Sequence, residues 1–235
     1  MVVSRKNYAI IVAGGTGTRM GMDTPKQFLL LDGLPVMMHA INAFYRSESS
    51  PQLIVVIHPS LRDDWTTLCK RHGFDVPHTV VDGGNSRFES VKNALNAITV
   101  AGDTPEDCLI AVHDAARPLI SPTLIDKTYL QAARTGTAAL AVPSTNSIRV
   151  THGNGLKNNA FPRTRVYLMQ TPQTFNGAVL RDAYEQAYEH AFTDDASVVE
   201  KKGYPITLVD GDTHNIKITY AEDLPIAEIL LRQRP

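Results

Sequence analysis

Features that mark secreted, membrane-spanning or nucleic-acid-binding proteins are scarce in this sequence of 235 residues. The two cysteines, Cys69 and Cys108, lie far apart and form no C-x-x-C pair, which favours a reducing compartment over a disulfide framework. The 23 basic and 24 acidic residues nearly cancel, so no global positive field exists to attract nucleic acid or an anionic membrane. No apolar run reaches membrane-spanning length, and the amino-terminal residues lack the cleavage pattern of a signal peptide. We therefore expect a cytoplasmic protein without a nucleic-acid or membrane partner.

What the sequence does contain is a succession of short β-branched runs, separated by segments of helical periodicity. The runs are Tyr8–Ala13, Leu53–Ile57, His78–Val81, Cys108–Val112, Ala138–Val142 and Ile206–Val209. Most are almost continuously apolar, which is typical of strands buried on both faces of a sheet. The alternation predicts an α/β fold with a doubly wound, mostly parallel sheet, and the length favours one domain over residues 1–235.

Polar residues and glycines predict where several helices begin and end. Ser121 and Pro122 are typical of an N-cap and a first helical position, and Gly136 is typical of the residue that ends a helix. In the same way we predict that Thr193 caps a helix and that Thr219 caps the last one.

The segment 143–165 differs from its surroundings, because it is polar and too long for an ordinary connection. Two β-prone pieces, Ser147–Thr151 and Arg165–Met169, flank its polar middle. We therefore predict an arm that projects from the domain as a β-hairpin.

A glycine-rich loop follows the first strand. Gly14, Gly15 and Gly17 permit the φ values and the close backbone approach with which consecutive amides bind a phosphate chain. A dinucleotide fingerprint requires a further glycine where Met20 stands, and the Gly-Lys-Ser/Thr ending of a P-loop is absent. The loop therefore favours an anionic ligand that is held in neither of these two common ways.

Two cations accompany this loop, Arg19 within it and Lys26 after Pro25. Such a pair is suited to gripping a triphosphate and stabilising charge during phosphoryl transfer. A turn with solvated cations is the simpler interpretation of the glycines alone. The strand, the loop, Arg19 and the Pro-Lys pair together favour the functional one.

Six motifs occur in order along nearly the whole chain. They are Ala13–Gly21, Asp82–Gly84 with Arg87 and Ser90, Val112–Pro118, Gln170–Gln173, Thr193–Asp194 with Ala196–Ser197, and Asn215–Thr219. In these motifs the chain resembles the sugar-nucleotide pyrophosphorylase-like superfamily and, within it, the 2-C-methyl-D-erythritol 4-phosphate cytidylyltransferase family of the non-mevalonate isoprenoid pathway. The resemblance implies a Rossmann-like enzyme that transfers CMP from CTP to 2-C-methyl-D-erythritol 4-phosphate and releases pyrophosphate.

The resemblance also implies a homodimer formed through the arm. We expect Mg²⁺ as the cofactor, and expect the CTP phosphates and water, rather than a cage of protein ligands, to hold it.

The second motif follows a strand and precedes a helix, a position at which open sheets bind ligands. The resemblance implies that Gly84, Asn85 and Ser90 frame the cytosine, with backbone contacts from Ala13 and Gly14. The family usually has an acid where Asn85 stands. For Ser90, an ordinary hydroxyl on a helix surface is an equally good interpretation.

The run His113–Arg117 follows an apolar strand, so Asp114 and Arg117 should emerge at the same sheet edge as the glycine loop. The resemblance implies that Asp114 and Ala115 lie on the nucleotide side and Arg117 near the acceptor phosphate. An Asp114–Arg117 ion pair that fixes a turn is compatible with these roles. We leave His113 outside the site, because such a histidine is more often packed than catalytic.

Asn215–Ile218 alternates polar and apolar residues, which predicts an extended segment with Asn215 and Lys217 on one face. In isolation Lys217 is interpreted as a solvated lysine, whereas the resemblance makes it a phosphate ligand that acts with Arg19 and Lys26.

Further acceptor contacts are implied for Ser147, Arg163, Thr171 and Thr193. In the family the arm that carries Ser147 and Arg163 reaches across the homodimer, and Ser147 stands where the family has threonine. Turn or capping roles remain open for Thr171 and Thr193.

Two other functions are compatible with parts of this pattern. A ribitol-5-phosphate cytidylyltransferase shares the same motifs, although it more often has valine where Ala116 stands. A nucleotide-binding regulatory module without catalysis would be expected to have lost Arg19, Lys26 or Lys217, all of which are present. An NAD-dependent dehydrogenase is disfavoured by Met20.

Overall fold

A seven-stranded, mostly parallel sheet forms the centre of the protein in a computed structural model that describes residues 6–14, 24–100, 108–153 and 157–234. The strands in chain order are β1 (Lys6–Ala13), β2 (Leu30–Leu31), β3 (Leu34–Pro35), β4 (Gln52–Ile57), β5 (Thr79–Asp82), β6 (Cys108–Asp114), β7 (Thr137–Pro143), β8 (Ile148–His152), β9 (Lys157–Phe161), β10 (Tyr167–Asn176) and β11 (Leu208–Asp210). The main sheet has the order β11-β7-β10-β6-β1-β4-β5. All its pairs are parallel except those of β10, which runs antiparallel to both β6 and β7.

In the described part of the chain, seven α-helices connect or follow these strands. They are α1 (Val36–Tyr45), α2 (Arg62–His72), α3 (Arg87–Val100), α4 (Pro122–Thr135), α5 (Gly177–Tyr184), α6 (Asp195–Lys201) and α7 (Asp223–Arg232). Among the described residues, no helix is both long and apolar enough to cross a membrane.

Side chains of β1 point alternately to two layers of helices. Ala9, Ile11 and Ala13 pack with apolar residues of α1, α2 and α4, whereas Tyr8 and Ile10 pack with those of α3, α5 and α6. A strand buried on both faces requires apolar residues at successive positions, which explains the continuous apolar run. The doubly wound, mostly parallel sheet predicted from the sequence is therefore confirmed.

The sequence prediction missed β10, although this strand lies in the middle of the sheet. Its residues include Gln170, Thr171 and Gln173, and Pro172 is a residue that argues against a central strand. The structure accommodates the proline because the ladder between β10 and β7 shifts its register between Met169 and Gln173. An irregular central strand with polar residues has no clear signature in the sequence.

The arm contains a hairpin, but its second strand lies elsewhere than predicted. β8 and β9 pair antiparallel from Ile148 with Phe161 to His152 with Lys157. Arg165–Met169, predicted as the returning strand, instead leads into β10 and the main sheet. The prediction followed apolar content, whereas β9 is largely polar and exposed.

Both predicted boundaries of α4 are confirmed, whereas the predicted caps of α6 and of the last helix are wrong. Ser121 caps α4 by accepting a hydrogen bond from the Leu124 amide, and Gly136 ends the helix at φ 83°. The N-cap of α6 is Asp194 rather than Thr193, because Asp194 forms a capping box with Ser197.

The last helix begins later than predicted. Thr219 is not its cap, since α7 starts at Asp223, whose carboxylate accepts hydrogen bonds from the Thr219 and Tyr220 amides. Pro225 falls in the first turn, where a proline removes no intrahelical hydrogen bond.

Candidate active site

The carboxyl ends of β1, β5 and β6 meet at one edge of the sheet, and a cleft of about 250 Å³ opens there. The lining residues that the structure describes combine small residues with cations and one carboxylate. The lining residues are Val12, Gly14, Lys26, Gly84, Asn85, Ser86, Arg87, Ser90, Asp114, Ala116 and Lys217. We call this space the first cleft.

Lys26 enters the first cleft from a single turn of 3₁₀ helix, Lys26–Phe28. Buried Gln27 fastens this turn to the end of β1, since its side-chain amide donates to the Ala13 carbonyl at 2.9 Å. The Lys26 ammonium donates to the Ile218 carbonyl at 3.2 Å. The lysine is therefore attached to the strap of residues 215–220 that carries Lys217.

Ser90 lies at the base of the first cleft and is only 1% exposed. Its hydroxyl donates to the Ser86 carbonyl at 2.8 Å and accepts from the Gly84 amide at 3.1 Å. A β-carbon added to Gly14 would lie 3.4 Å from this hydroxyl, so the two segments approach closely. The interpretation of Ser90 as a hydroxyl on a helix surface is wrong.

Gly84 and Asn85 are organised by Glu89 on the next turn of the chain. The Glu89 carboxylate accepts from the Asn85 amide at 2.7 Å. A β-carbon on Gly84 would lie 2.4 Å from the β-carbon of Glu89. Only glycine fits at position 84 while this contact is kept.

Asp114 is the carboxylate of the first cleft, and cations surround it. One oxygen lies 2.7 Å from the Lys217 ammonium and 3.9 Å from Nε of Arg117, and the other lies 3.4 Å from Nε of Arg87. Burial tends to raise the pKa of Asp114, but the charges of Arg87 and Lys217 outweigh it and hold that pKa well below its usual range. Asp114 is therefore ionised at neutral pH.

Arg87 is held in place by a second carboxylate. Its two terminal nitrogens donate to the two oxygens of fully buried Asp195 at 2.9 and 2.6 Å. Burial opposes the charge of Arg87, but Asp195 and Asp114 outweigh this and raise the pKa of Arg87 well above its usual value. The hydroxyl of Tyr184 donates a further hydrogen bond to Asp195 at 2.7 Å.

A second cleft of about 220 Å³ adjoins the first and shares Arg87, Asp114 and Lys217 with it. Its remaining described lining residues are polar apart from Met169. They are Arg117, Met169, Gln170, Thr171, Gln173, Thr193 and Asp194. The three shared side chains thus form a charged partition, a name that we keep for Arg87, Asp114 and Lys217.

Arg117 supports the second cleft from below, because its guanidinium donates to the carbonyls of Asn215 at 2.8 Å and Met169 at 3.4 Å. Only 12% of its side chain is exposed. Burial lowers the pKa of Arg117, and the charge of Asp114 offsets this only in part. Arg117 therefore combines a structural role with a charge that lines the second cleft.

Thr171 and His113 form the hydrogen-bonded support behind Asp114. The Thr171 hydroxyl accepts from the Asp114 amide at 3.0 Å and lies 3.1 Å from Nδ1 of His113. His113 is fully buried, and its other ring nitrogen lies 3.1 Å from the Arg117 carbonyl. His113 is thus packed and hydrogen-bonded away from both clefts.

The strap departs from its predicted geometry. It is not a strand, and Asn215 does not share a face with Lys217. Asn215 is fully buried and donates to the Thr171 carbonyl at 2.9 Å, whereas the Lys217 ammonium faces Asp114 at 2.7 Å. Ile218 is buried and its amide donates to the Ala116 carbonyl at 2.8 Å. Tertiary hydrogen bonds, rather than strand periodicity, set this geometry.

The other predicted residues divide into three groups. Ala115 is buried in the core and its amide donates to the Val12 carbonyl at 3.0 Å, so the neighbouring Ala116 lines the first cleft instead. Ser147 and Arg163 are exposed on or beside the arm and line neither cleft. The predicted residues Gly15, Gly17 and Arg19 lie outside the described part of the chain.

Reasoning from the sequence did not assign Arg87 or Asp195 to the site. Arg87 belongs to the second motif, and Asp195 lies between the two parts of the fifth. The two residues are 108 positions apart, so only the fold shows that they pair. A signal did exist: Arg87 begins a helix, where the macrodipole disfavours a cation.

The arrangement can bind two anionic groups, one on each side of the charged partition. Cations from four different segments, Lys26, Arg87, Arg117 and Lys217, line the two clefts. Among the described residues no cluster of three or more metal-binding side chains occurs. Because four cations line the two clefts, the geometry favours transfer between phosphorylated ligands, with charge neutralised by side chains fixed in advance.

Comparisons with known proteins agree with this chemistry. Residues 8–233 match the family model described as IspD, 2-C-methyl-D-erythritol 4-phosphate cytidylyltransferase. The protein of that name from Porphyromonas gingivalis is 45% identical over 230 residues, covering 97% of this chain and 99% of the relative. The one from Bacteroides fragilis is 41% identical over 223 residues, covering 95% and 98%. The crystal structure of the Thermus thermophilus protein has a TM-score of 0.73 at 30% identity, covering 97% of this chain and 99% of that one.

The buried histidine behind the site predicts a pH dependence of folding. Burial lowers the pKa of His113 to about 4, although its hydrogen bond to the Arg117 carbonyl opposes the shift. Between about pH 6.5 and 4 the unfolded chain therefore binds a proton at His113 that the folded chain excludes. The contribution of His113 to the free energy of unfolding falls by about 3 kcal/mol as pH decreases through this window. Urea unfolding at several pH values measures this loss.

The variant His113→Gln cannot titrate there, so we expect its stability to vary less with pH across this window. His214→Gln removes an exposed histidine and serves as the control. Equal pH slopes for wild type and His113→Gln would show that His113 does not carry the effect.

Proposed function

The chain belongs to the 2-C-methyl-D-erythritol 4-phosphate cytidylyltransferase family, and from that premise we propose that it transfers CMP from CTP to 2-C-methyl-D-erythritol 4-phosphate. The products are pyrophosphate and 4-diphosphocytidyl-2-C-methyl-D-erythritol. One observation carries the proposal: two adjacent clefts at the carboxyl edge of the sheet share a charged partition. Such a geometry brings two phosphorylated substrates together.

In the proposed reaction a phosphate oxygen of the acceptor attacks the α-phosphorus of CTP. A new P–O bond forms as the bond to the bridging oxygen of the β-phosphate breaks, and pyrophosphate leaves with that electron pair. The attacking phosphate is already an anion, so no dedicated base is required. Catalysis then depends on in-line positioning and on neutralising the developing charge.

We assign CTP to the first cleft. Gly84, Asn85 and Ser90 frame the cytosine at the start of α3, and backbone groups of Ala13 and Gly14 contact it from the end of β1. The burial and fixed hydrogen bonds of Ser90 support this assignment. A buried polar group held in advance discriminates best between bases.

The triphosphate is assigned to the loop after β1 and to the lysines. Gly15 and Gly17 supply backbone amides, and Arg19, Lys26 and Lys217 supply positive charge. The attachment of Lys26 to the Ile218 carbonyl and the pairing of Lys217 with Asp114 support this assignment, since both lysines are ordered at the edge of the same cleft. Asp114, with the backbone of Ala115, lies on the ribose and phosphate side.

We assign the acceptor to the second cleft, which Arg117, Thr171 and Thr193 line. Ser147 and Arg163 complete this cleft from the arm of a second subunit in a homodimer. The exposure of both residues, neither of which lines a cleft within the same chain, supports that origin. A cytoplasmic location belongs to the proposal, since the sequence has two cysteines that lie far apart and form no C-x-x-C pair.

Mg²⁺ is the proposed cofactor. The first cleft offers one carboxylate among its described lining residues, Asp114, which already has lysine and arginine partners. This donor set fits a hard cation that takes most of its ligands from phosphate oxygens and water. Bound there, the ion would neutralise triphosphate charge, and Asp114 is the side chain that would face it.

The relatives favour 2-C-methyl-D-erythritol 4-phosphate over ribitol 5-phosphate as the acceptor. Those at 41–45% identity are named 2-C-methyl-D-erythritol 4-phosphate cytidylyltransferase. A regulatory module without catalysis is disfavoured by the intact charged partition and by Lys26. Tight CTP binding without pyrophosphate release would revive that alternative.

Replacing Lys26 tests the donor side of the proposal. We expect Lys26→Ala to lower the rate of pyrophosphate release from CTP and 2-C-methyl-D-erythritol 4-phosphate by roughly 100-fold or more, because one charge that stabilises the transition state is lost. A coupled pyrophosphate assay measures the rate. Lys70→Ala, at an exposed position on α2, is the matched control, and near-wild-type release by folded Lys26→Ala would refute the assignment.

Subunit mixing tests whether the arm completes the partner's site. Arg163→Ala and Lys26→Ala should each be nearly inactive, but an exchanged equimolar mixture should regain about one quarter of wild-type activity. In that mixture half of the dimers are hybrids, and each hybrid has one intact site in this symmetric arrangement. Turnover after subunit exchange is the measurement.

A mixture of Arg163→Ala with Ser147→Ala is the control, since neither subunit then supplies an intact arm. Exchange without any gain in the first mixture would contradict the shared site.

A further inference from the structure

Arg87 occupies a position that helix electrostatics disfavour for a cation. It is the first residue of α3, a helix of 14 residues whose amino terminus carries partial positive charge. The side chain is nevertheless only 30% exposed. Its carboxylate partners, rather than the helix, hold the side chain there.

The guanidinium divides its nitrogens between two carboxylates. Both terminal nitrogens face Asp195 at 2.9 and 2.6 Å, and Nε faces Asp114 at 3.4 Å. A bidentate pair fixes the plane of the guanidinium as well as its position. Asp195 is itself fixed, because it is fully buried and accepts a hydrogen bond from Tyr184.

Asp114 divides its oxygens in a corresponding way. The oxygen that faces Arg87 is Oδ1, whereas Oδ2 lies 2.7 Å from the Lys217 ammonium. If Nε of Arg87 were removed, both oxygens could turn toward Lys217. The lysine would then be held more tightly by Asp114 and would be less available to a phosphate.

We infer that Arg87 is a positioning residue for the transfer step: clamped by Asp195, it occupies one oxygen of Asp114 and thereby limits how strongly Asp114 retains Lys217. The inference rests on the proposed function, in which Lys217 contacts the phosphates. Arg87 acts through Asp114 and needs no contact with either substrate. Asp195 contributes to the same positioning, because its two hydrogen bonds set the plane of the Arg87 guanidinium.

A double-mutant cycle between Arg87→Lys and Lys217→Met tests this route. Lysine keeps the charge opposite Asp195 but lacks the planar fork that reaches both carboxylates. We expect Arg87→Lys to lower kcat by about tenfold in the wild-type background and by less than about twofold in the Lys217→Met background. The KM for CTP should change by less than about threefold, since the effect concerns transfer rather than nucleotide binding.

The matched control is Arg62→Lys. Arg62 also makes a two-nitrogen contact with a carboxylate, that of Asp82, at 3.1 and 2.7 Å, but on an exposed surface outside both clefts. We expect its kcat to equal that of the wild type. Urea midpoints of all variants show whether each one is folded under the assay conditions.

An equal loss of kcat from Arg87→Lys in both backgrounds, or no loss in either, would overturn the inference. If Arg87→Lys does not fold, Asp195→Asn replaces it in the same cycle, with the same expected dependence on Lys217. A wild-type chain that releases no pyrophosphate would instead overturn the proposed function.

Discussion

The ionised carboxylate of Asp114, with cations on three sides, is the interaction on which both clefts depend. Arg87, Arg117 and Lys217 come from three separate segments, and each would repel the others without the negative charge between them. Removing these cations would leave a buried, uncompensated negative charge, and removing the carboxylate would leave uncompensated positive charges. Either change would lower the free energy of unfolding. The charges therefore stabilise one another only in the arrangement that lines both clefts. A phosphate that enters either cleft meets positive charge already in place.

The sheet order explains how so many segments reach one carboxylate. β6 ends at Asp114 between β1 and β10, so the end of β1 lies on one side of Asp114 and Thr171 of β10 on the other. The Thr171 hydroxyl fixes the Asp114 amide, and the Thr171 carbonyl accepts from buried Asn215. Asn215 in turn begins the strap that carries Lys217. The antiparallel strand β10 thus connects the second cleft, which Thr171 lines, to the strap that carries Lys217.

Features with a local cause could be predicted from the sequence, and features that depend on contacts between distant segments could not. Continuous apolar runs indicate the buried parallel strands, and Ser121 with Pro122 indicates the start of α4. β10 was missed because polar residues and Pro172 mask a central strand. The predicted face of Lys217 was wrong because tertiary hydrogen bonds override the alternation in the strap. The Arg87–Asp195 pair joins positions 108 apart, and no spacing rule connects them.

The central claim is that one charged partition brings CTP and 2-C-methyl-D-erythritol 4-phosphate together for transfer. The most direct test is to measure kcat/KM for pyrophosphate release from CTP and Mg²⁺ with this acceptor and, side by side, with ribitol 5-phosphate. We predict a value at least roughly 100-fold higher for 2-C-methyl-D-erythritol 4-phosphate, because polar groups fixed in the second cleft would be left unpaired by the wrong polyol. Equal or faster turnover of ribitol 5-phosphate, or CTP binding without release of pyrophosphate from either acceptor, would contradict the account.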